Sequence, residues 1–283
     1  MINLNDLEGF DNLDDLNKEL QKRATAHNQA GLDDFEGLSP KQMNILQQGF
    51  PKDKSLLVKN KLSEEELENS PLLRQIRLLI DKMKGEKEIK LTKTGALPTK
   101  LVKEIYGLSY LKNWAIENGI TKLKKESDAE EISITRILLE ISSLAKKRNG
   151  KLSLTKKGEK YANDGNFILE EILIFLLYKF NWAYYDGYGS ENIGRVNPGF
   201  SLFLLKKYGD KKRSSFFYAE KYFKAFPQLL ENGESSFRCY ALRSFERYFK
   251  FMGFVHVEKK GVLSPAEVEK SEFFDQLFSL ESR

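Results

Sequence analysis

The chain has 283 residues, of which 41% are hydrophobic and 31% are charged, so it can build sizeable cores and is not a disordered chain. One cysteine and two histidines exclude a disulfide framework and a zinc site built from thiolates or imidazoles. No apolar run is long enough to cross a bilayer, and the first fifteen residues are too acidic and polar for a secretory signal. We therefore predict a cytoplasmic protein that makes no contact with a membrane.

The net charge of +5 is unevenly distributed along the chain. Residues 1–70 carry a net −6, residues 71–164 a net +9 and residues 165–283 a net +2. A concentrated positive field favours a polyanionic partner, although an acidic leader beside a basic domain is also able to neutralise it internally. These ranges are the predicted domains: an acidic helical extension, a winged-helix-like domain, and an aromatic-rich helical domain that ends in a second winged-helix-like unit.

The acidic extension begins with leucines that recur every three or four residues, which predicts an amphipathic helix within the first thirty residues. Ser39 followed by Pro40 predicts the start of a helix that runs to about Gln48. Ser63 and Glu66 have the spacing of a capping box, which predicts another short helix.

The middle domain has the element order of a winged-helix domain. Helical patterns at 71–84, 97–106 and 134–143 surround a short alternating segment at 89–92. Asn149-Gly150 then joins two short segments, and it predicts a β-hairpin because both central residues of a tight turn need positive φ. The order helix, strand, helix, helix, hairpin makes this hairpin the predicted wing.

The same logic recurs at the end of the chain. Residues 237–252 show the apolar stripe of a long helix, and 254–258 and 266–270 alternate as the two strands of a second wing. A last helix is predicted over Ser271–Leu280. We therefore predict a mainly helical α+β protein with tandem winged-helix-like units, short β-hairpin wings and an N-terminal helical extension.

Four segments carry a family resemblance, and together they span roughly residues 33–280: 35–43 (FEGLSPKQM), 91–102 (LTKTGALPTKLV), 180–188 (FNWAYYDGY) and 238–248 (RCYALRSFERY). They resemble a group of uncharacterised bacterial proteins whose relatives occur beside domains of the plasmid-borne ORF-3 type and the SEC-C type. This chain lacks the Cys/His cluster of a SEC-C motif. The resemblance implies a recurring architecture and no particular activity.

Cations are dense around the predicted wing, and two interpretations of them are open. The candidate nucleic-acid-binding residues here are Lys146, Lys147, Arg148, Lys151, Lys156 and Lys157. Wing cations are suited to contacts with a phosphate backbone. Exposed lysines also protect short edge strands from pairing with other chains.

A second candidate is the row Arg243, Arg247 and Lys250. Spacings of four and three place these residues on one helical face, away from the apolar stripe of the same helix. A helix with this arrangement suits docking into a groove or onto phosphates. The alternative is a solvated face on which Glu246 pairs within the helix.

A third candidate is the aromatic cluster of Trp182, Tyr184, Tyr185 and Tyr188. Flat side chains can stack on nucleobases or on a peptide. The alternative is a core at the end of a helix, with tyrosine hydroxyls reaching solvent.

The sequence contains no nucleophile–base pair, metal cluster or cofactor loop, so we predict a non-enzymatic protein without catalytic residues, metal or cofactor. The predicted function is binding of DNA or RNA, in a transcription-related role, through the first wing and the helix that carries Arg243 and Arg247. The alternative function is that of a protein–protein adaptor whose winged-helix units make no contact with nucleic acid.

Overall fold

A computed structural model describes residues 12–48, 56–261 and 264–280. Within these ranges helices dominate, and eight short strands form three small antiparallel sheets. The predicted mainly helical α+β class is therefore confirmed.

The described part of the extension contains α1 (Leu13–Gln29), α2 (Pro40–Gln48), β1 (Leu57–Lys59) and α3 (Glu64–Leu67). Both predicted N-caps are present. The hydroxyl of Ser39 accepts the backbone N–H of Gln42 at 3.2 Å, and Ser63 forms a reciprocal capping box with Glu66.

We call residues 71–154 the first unit. It consists of α4 (Pro71–Glu86), β2 (Ile89–Lys90), α5 (Thr99–Gly107), α6 (Trp114–Glu117), α7 (Glu130–Ile141), β3 (Ala145–Arg148) and β4 (Lys151–Leu154). Its strands are ordered β2–β4–β3, so the hairpin lies beside the strand that follows the first helix. The predicted order of elements is present, with the single turn of α6 added between the second and third helices.

A helical segment links the first unit to the last part of the chain. It contains α8 (Lys156–Tyr161), α9 (Gly165–Ile174), a π-helical turn at Phe175–Lys179 and α10 (Ala183–Asp186).

We call residues 198–270 the second unit. It consists of α11 (Pro198–Tyr208), β5 (Arg213–Ser214), α12 (Ser215–Ala225), α13 (Glu234–Ala241), a π-helical stretch at Leu242–Phe249, α14 (Lys250–Met252), β6 (Val255–Glu258) and β7 (Glu267–Lys270). The segment from α13 to α14 is the predicted long helix. The strands are ordered β5–β7–β6, which repeats the strand order of the first unit.

The end of the chain differs from the prediction. The last helix, α15 (Glu272–Leu277), stops before the predicted Leu280, and β8 (Phe278–Leu280) follows it. β8 pairs antiparallel with β1, with Leu57 opposite Leu280. Backbone pairing with a distant strand therefore replaces the last turn of the predicted helix.

The extension is docked on the second unit through α2. Leu46 is fully buried, and the Asn197 side chain, at the start of α11, donates to the carbonyl of Met43 at 2.9 Å. The two backbones meet at Gly199, where a Cβ would lie 2.4 Å from the carbonyl oxygen of Leu46. Only glycine permits this approach of α2 to α11.

The extension also brings a carboxylate to the second unit. Glu36 accepts hydrogen bonds from Lys221 at 2.7 Å, from Lys207 at 3.2 Å and from the hydroxyl of Tyr208. Burial alone would raise the pKa of the Glu36 carboxyl, but hydrogen bonds from these three donors hold it below its ordinary value. In the described ranges, no carboxylate of the extension pairs with a cation of the first wing. The extension therefore leaves the charge of that wing uncompensated.

We expect Gly199→Ala to lower the free energy of unfolding by about 1–3 kcal/mol, because the new methyl group forces two backbones apart. Urea denaturation, monitored by circular dichroism, measures the change in the free energy of unfolding. Gly85→Ala is the matched control, since Gly85 lies in α4 with no atom within 4 Å of its Cβ position. Alanine there should raise stability by up to about 1 kcal/mol. Equal effects of the two changes would contradict the close approach at Gly199.

We expect Glu36→Gln to destabilise the protein at neutral pH and to have less effect below about pH 4. The folded pKa of Glu36 is lowered, so its contribution is present above the unfolded pKa and is lost as the pH falls through the folded pKa. Thermal unfolding of both proteins between neutral and acidic pH measures the difference. Glu220→Gln on the same second unit controls for the loss of one exposed carboxylate. A difference that grows on acidification would refute the assignment.

Candidate nucleic-acid interface

The predicted wing is formed by β3 and β4. Asn149 and Gly150 join the strands with φ of 50° and 69°, the left-handed values that a tight type I′ hairpin turn requires. The inner face of the sheet is closed by Ile89, Leu152 and Leu154, which are buried. The hairpin at this position is therefore confirmed.

Four cations lie on the outer face of this sheet. In the strand register Lys90 is opposite Lys151, and Lys151 is opposite Arg148. Lys146 stands two residues from Arg148 on the same face of β3. All four side chains are exposed. We call Lys90, Lys146, Arg148 and Lys151 the wing row.

Further cations lie on loops near the hairpin: two contacts join the 91–95 loop to the hairpin, and a third joins the start of α5 to Lys124. Leu91 N–H donates to the carbonyl of Gly150 at 2.8 Å, Lys147 Nζ donates to that of Gly95 at 3.2 Å, and Thr99 Oγ1 donates to that of Lys124 at 3.1 Å. The loops and the first turns of α5 carry Lys93, Lys100, Lys103, Lys122, Lys124 and Lys125, all exposed. We call the wing row, Lys147 and these six lysines the cationic face.

Few carboxylates touch the cationic face, and one of them, Asp128, accepts the backbone N–H groups of Lys124 and Lys125 at 2.8 and 2.9 Å. Among the described residues, only Lys151 of this set forms an ion pair, with Glu88 at 2.5 Å. Outside this face, Lys156 is exposed in α8, while Lys157 does not fit the predicted site. The Lys157 ammonium pairs with Glu171 and donates to the carbonyl of Ser142 at 3.1 Å. Lys157 therefore joins α8 to α9.

The β5–β7–β6 sheet of the second unit carries no cation at the corresponding positions. There Ser214 is opposite Glu267, and Glu267 is opposite Glu258. Lys212 pairs with Glu258 at 2.6 Å. The two units therefore share a strand order but do not share a cationic sheet.

The predicted cationic row on the long helix is wrong, because Arg243 is buried. Its side chain is 1% exposed and holds Asp186 through Nε at 2.6 Å and Nη2 at 3.0 Å. Nη1 donates to the carbonyls of Ser190 and Ile193 at 2.8 and 2.9 Å. Burial alone would lower the pKa of the Arg243 guanidinium, but Asp186 holds it above its ordinary value.

Arg247 is buried beside it. Its guanidinium lies 3.4 Å from Asp186 and 2.8 Å from Glu130 of α7, and it donates to the carbonyl of Tyr185 at 3.0 Å. Lys250 is half-buried, and its ammonium donates to the carbonyl of Lys112 at 3.2 Å. The three residues join the second unit to neighbouring segments and offer no row for phosphates.

The reason lies in what covers this helix. Between residues 238 and 250 every residue is buried except for a narrow, half-buried row, which consists of Arg238, Leu242, Glu246 and Lys250. Glu246 does not pair within the helix as expected, since it binds Lys259 at 2.6 Å. The π-helical stretch also changes the residue spacing per turn, so positions predicted from an α-helical period shift around the helix.

Most of the aromatic cluster belongs to the core. Trp182 is buried against Phe180, and Tyr185 stacks on Phe180 with the ring centroids 5.2 Å apart. Tyr188 is half-buried, whereas Tyr184 is 84% exposed. Three of the four candidate rings are therefore unable to serve as an open stacking platform.

The buried carboxylate Asp186 is the residue that determines the burial of Arg243 and Arg247, and the sequence pattern did not predict it. Its side chain is fully buried, and it is held at the end of α10, where Gly187 turns the chain at φ 75°. The only sequence feature that could have pointed to Asp186 is the Asp-Gly pair at 186–187, which follows an aromatic segment.

The described ranges give no support for a membrane-spanning helix, a metal site or a reactive cysteine. No helix there is long and apolar enough to span a membrane. No group of three His, Cys, Asp or Glu side chains there is arranged to hold a metal ion. Burial raises the pKa of the Cys239 thiol to about 12, so this residue is not a nucleophilic thiolate at neutral pH.

Comparison with known proteins places part of the chain beside a known family. Residues 68–166 are similar to the family described as the Y4jL N-terminal domain. That range encloses the first unit and α8. No curated protein and no solved structure matches the chain significantly.

We expect Asp186→Asn to lower the free energy of unfolding by about 3–5 kcal/mol, because it leaves two buried guanidinium groups without this carboxylate. Chemical denaturation measures the loss. Glu258→Gln makes the same change in the exposed pair with Lys212 and should alter stability little. A similar small effect of both changes would show that Asp186 does not hold the two arginines in solution.

Proposed function

We propose that this protein is a non-enzymatic nucleic-acid-binding protein with two winged-helix-like units, of which the first contacts DNA or RNA. The observation that carries the proposal is the wing row, in which the strand register aligns Lys90, Lys151 and Arg148 across the sheet. Lys146 extends the same row along β3. The part of the chain that is similar to the Y4jL N-terminal domain includes the whole wing row.

Phosphates are the partner that this arrangement favours. Among the described residues, only the Lys151 side chain of the cationic face has a carboxylate partner, so the other exposed cations are available to a dense polyanion. Binding to it releases the counterions condensed on the polyanion. The planar guanidinium of Arg148 matches phosphate oxygens, and the lysine ammonium groups act as point charges. The acidic second wing and the buried Arg243 and Arg247 are left out of the proposed contact.

We expect the double change Lys146→Glu and Arg148→Glu to weaken binding to a labelled duplex and to lower the salt slope. With each phosphate contact contributing about 0.9, the slope of log affinity against log salt should become shallower by about 2. Fluorescence anisotropy over a series of salt concentrations measures both quantities.

The control is Lys211→Glu with Lys260→Glu, which makes the same change in net charge. Both lysines are exposed and form no ion pair in the described ranges. This variant should bind nearly as tightly as the natural protein. Equal weakening by the two double changes would assign binding to overall charge instead of the wing.

A role as a protein–protein adaptor is the second candidate function. It is favoured by a cleft of about 280 Å³ between the two units. Trp114, Leu242, Phe251 and Val257 line it, and Glu131 and Lys250 add charges of both signs. Such a mixture suits a protein side chain better than a phosphate. Pull-down after nuclease treatment distinguishes the functions, because only a protein partner remains bound when nucleic acid is destroyed.

A further inference from the structure

The third helix of the first unit carries an unusual set of charges for a groove-binding element. In helix-turn-helix proteins, the corresponding helix lies in the major groove and presents donors to base edges. The partly exposed side chains of α7 include Glu130, Arg136, Ile137 and Glu140. Arg136 is the only cation in α7.

Arg136 is held by two carboxylates. Its Nε lies 2.7 Å from Glu126, and its Nη1 donates to Glu140. Glu126 is itself buried and accepts the backbone N–H of Leu97. To reach a guanine, the guanidinium would have to leave both partners and expose a buried carboxylate, so Arg136 is a poor reader of base edges.

The N-terminal end of α7 is also occupied. Glu130 pairs with Arg247 of the second unit at 2.8 Å, and Glu131 accepts from the side chain of Asn113 at 3.1 Å. Two carboxylates therefore stand where a phosphate would approach the helix end. The corresponding long helix of the second unit is mostly buried, as described above.

The cations that remain free suit the phosphate backbone of a duplex. Proteins that bind single strands combine a cationic groove with aromatic side chains on which bases stack. Among the described residues, Tyr184 is the only strongly exposed aromatic side chain, and it lies on α10 outside the first unit. The cationic face consists of lysines and one arginine.

We infer that the cationic face binds the sugar–phosphate backbone of duplex nucleic acid without reading the base sequence. This inference rests on the proposed function and specifies its ligand. DNA and RNA duplexes share the backbone charge that the face recognises.

The test uses the full chain and several labelled duplexes of unrelated sequence, each about 20 base pairs long, as DNA and as RNA, together with the separated single strands. Within each duplex type, affinities should agree within about threefold, whereas specific readers differ by a thousandfold or more. Single strands should bind at least about tenfold more weakly than the duplex. The duplex type that binds more tightly identifies the source of the backbone.

Arg136→Gln tests the surface of helix α7, and the double change Lys146→Glu with Arg148→Glu tests the wing row on the sheet. The first change should leave the affinity for every duplex unaltered. The second should lower the affinity for all duplexes by the same factor. A preference above about a hundredfold for one sequence, or one that Arg136→Gln removes, would overturn the inference while leaving the proposed function intact. Tighter binding of single strands would overturn the duplex assignment. Absence of binding to every probe at low salt would overturn the proposed function itself.

Discussion

The buried carboxylate of Asp186 is the interaction on which the arrangement of the two units depends. It holds Arg243 in bidentate contact and lies 3.4 Å from Arg247, which in turn binds Glu130 of the first unit. Removing such charges from water is expensive, and the cost is offset only where carbonyls and a second carboxylate satisfy the remaining donors. Backbone carbonyls and Glu130 accept the remaining guanidinium hydrogen bonds in this protein. The arginines of the long helix of the second unit are therefore used for internal contacts.

The two units differ in the charge of their sheets despite their common strand order. In the first unit, the corresponding register positions carry Lys90, Lys151 and Arg148. In the second unit they carry Ser214, Glu267 and Glu258. The same backbone arrangement therefore supports a cationic surface in one place and an acidic surface in the other, because outward side chains of a sheet do not affect its core.

The acidic extension takes part in this separation of charge. Its Glu36 binds lysines of the second unit, and α2 packs closely on α11 through the contact at Gly199. Its Glu64 and Glu68 bind Arg77 at the start of the middle domain, but in the described ranges no carboxylate of the extension pairs with the wing row. A surface of this kind attracts polyanions over a distance of about a Debye length, which is about 8–10 Å at physiological salt.

The sequence by itself determined the features that depend on neighbouring residues. Capping at Ser39 and Ser63, the turn at Asn149-Gly150 and the order of helices and hairpins follow from local backbone preferences, which are encoded within a few positions. Only the tertiary structure decided which charges reach solvent. Arg243 is buried against Asp186, which is 57 positions away in the sequence. Phe278–Leu280 is a strand because it pairs with Leu57–Lys59, which lies far from it in the sequence. Helical periodicity places side chains on a face but does not show what covers that face, since the covering segments come from distant parts of the sequence.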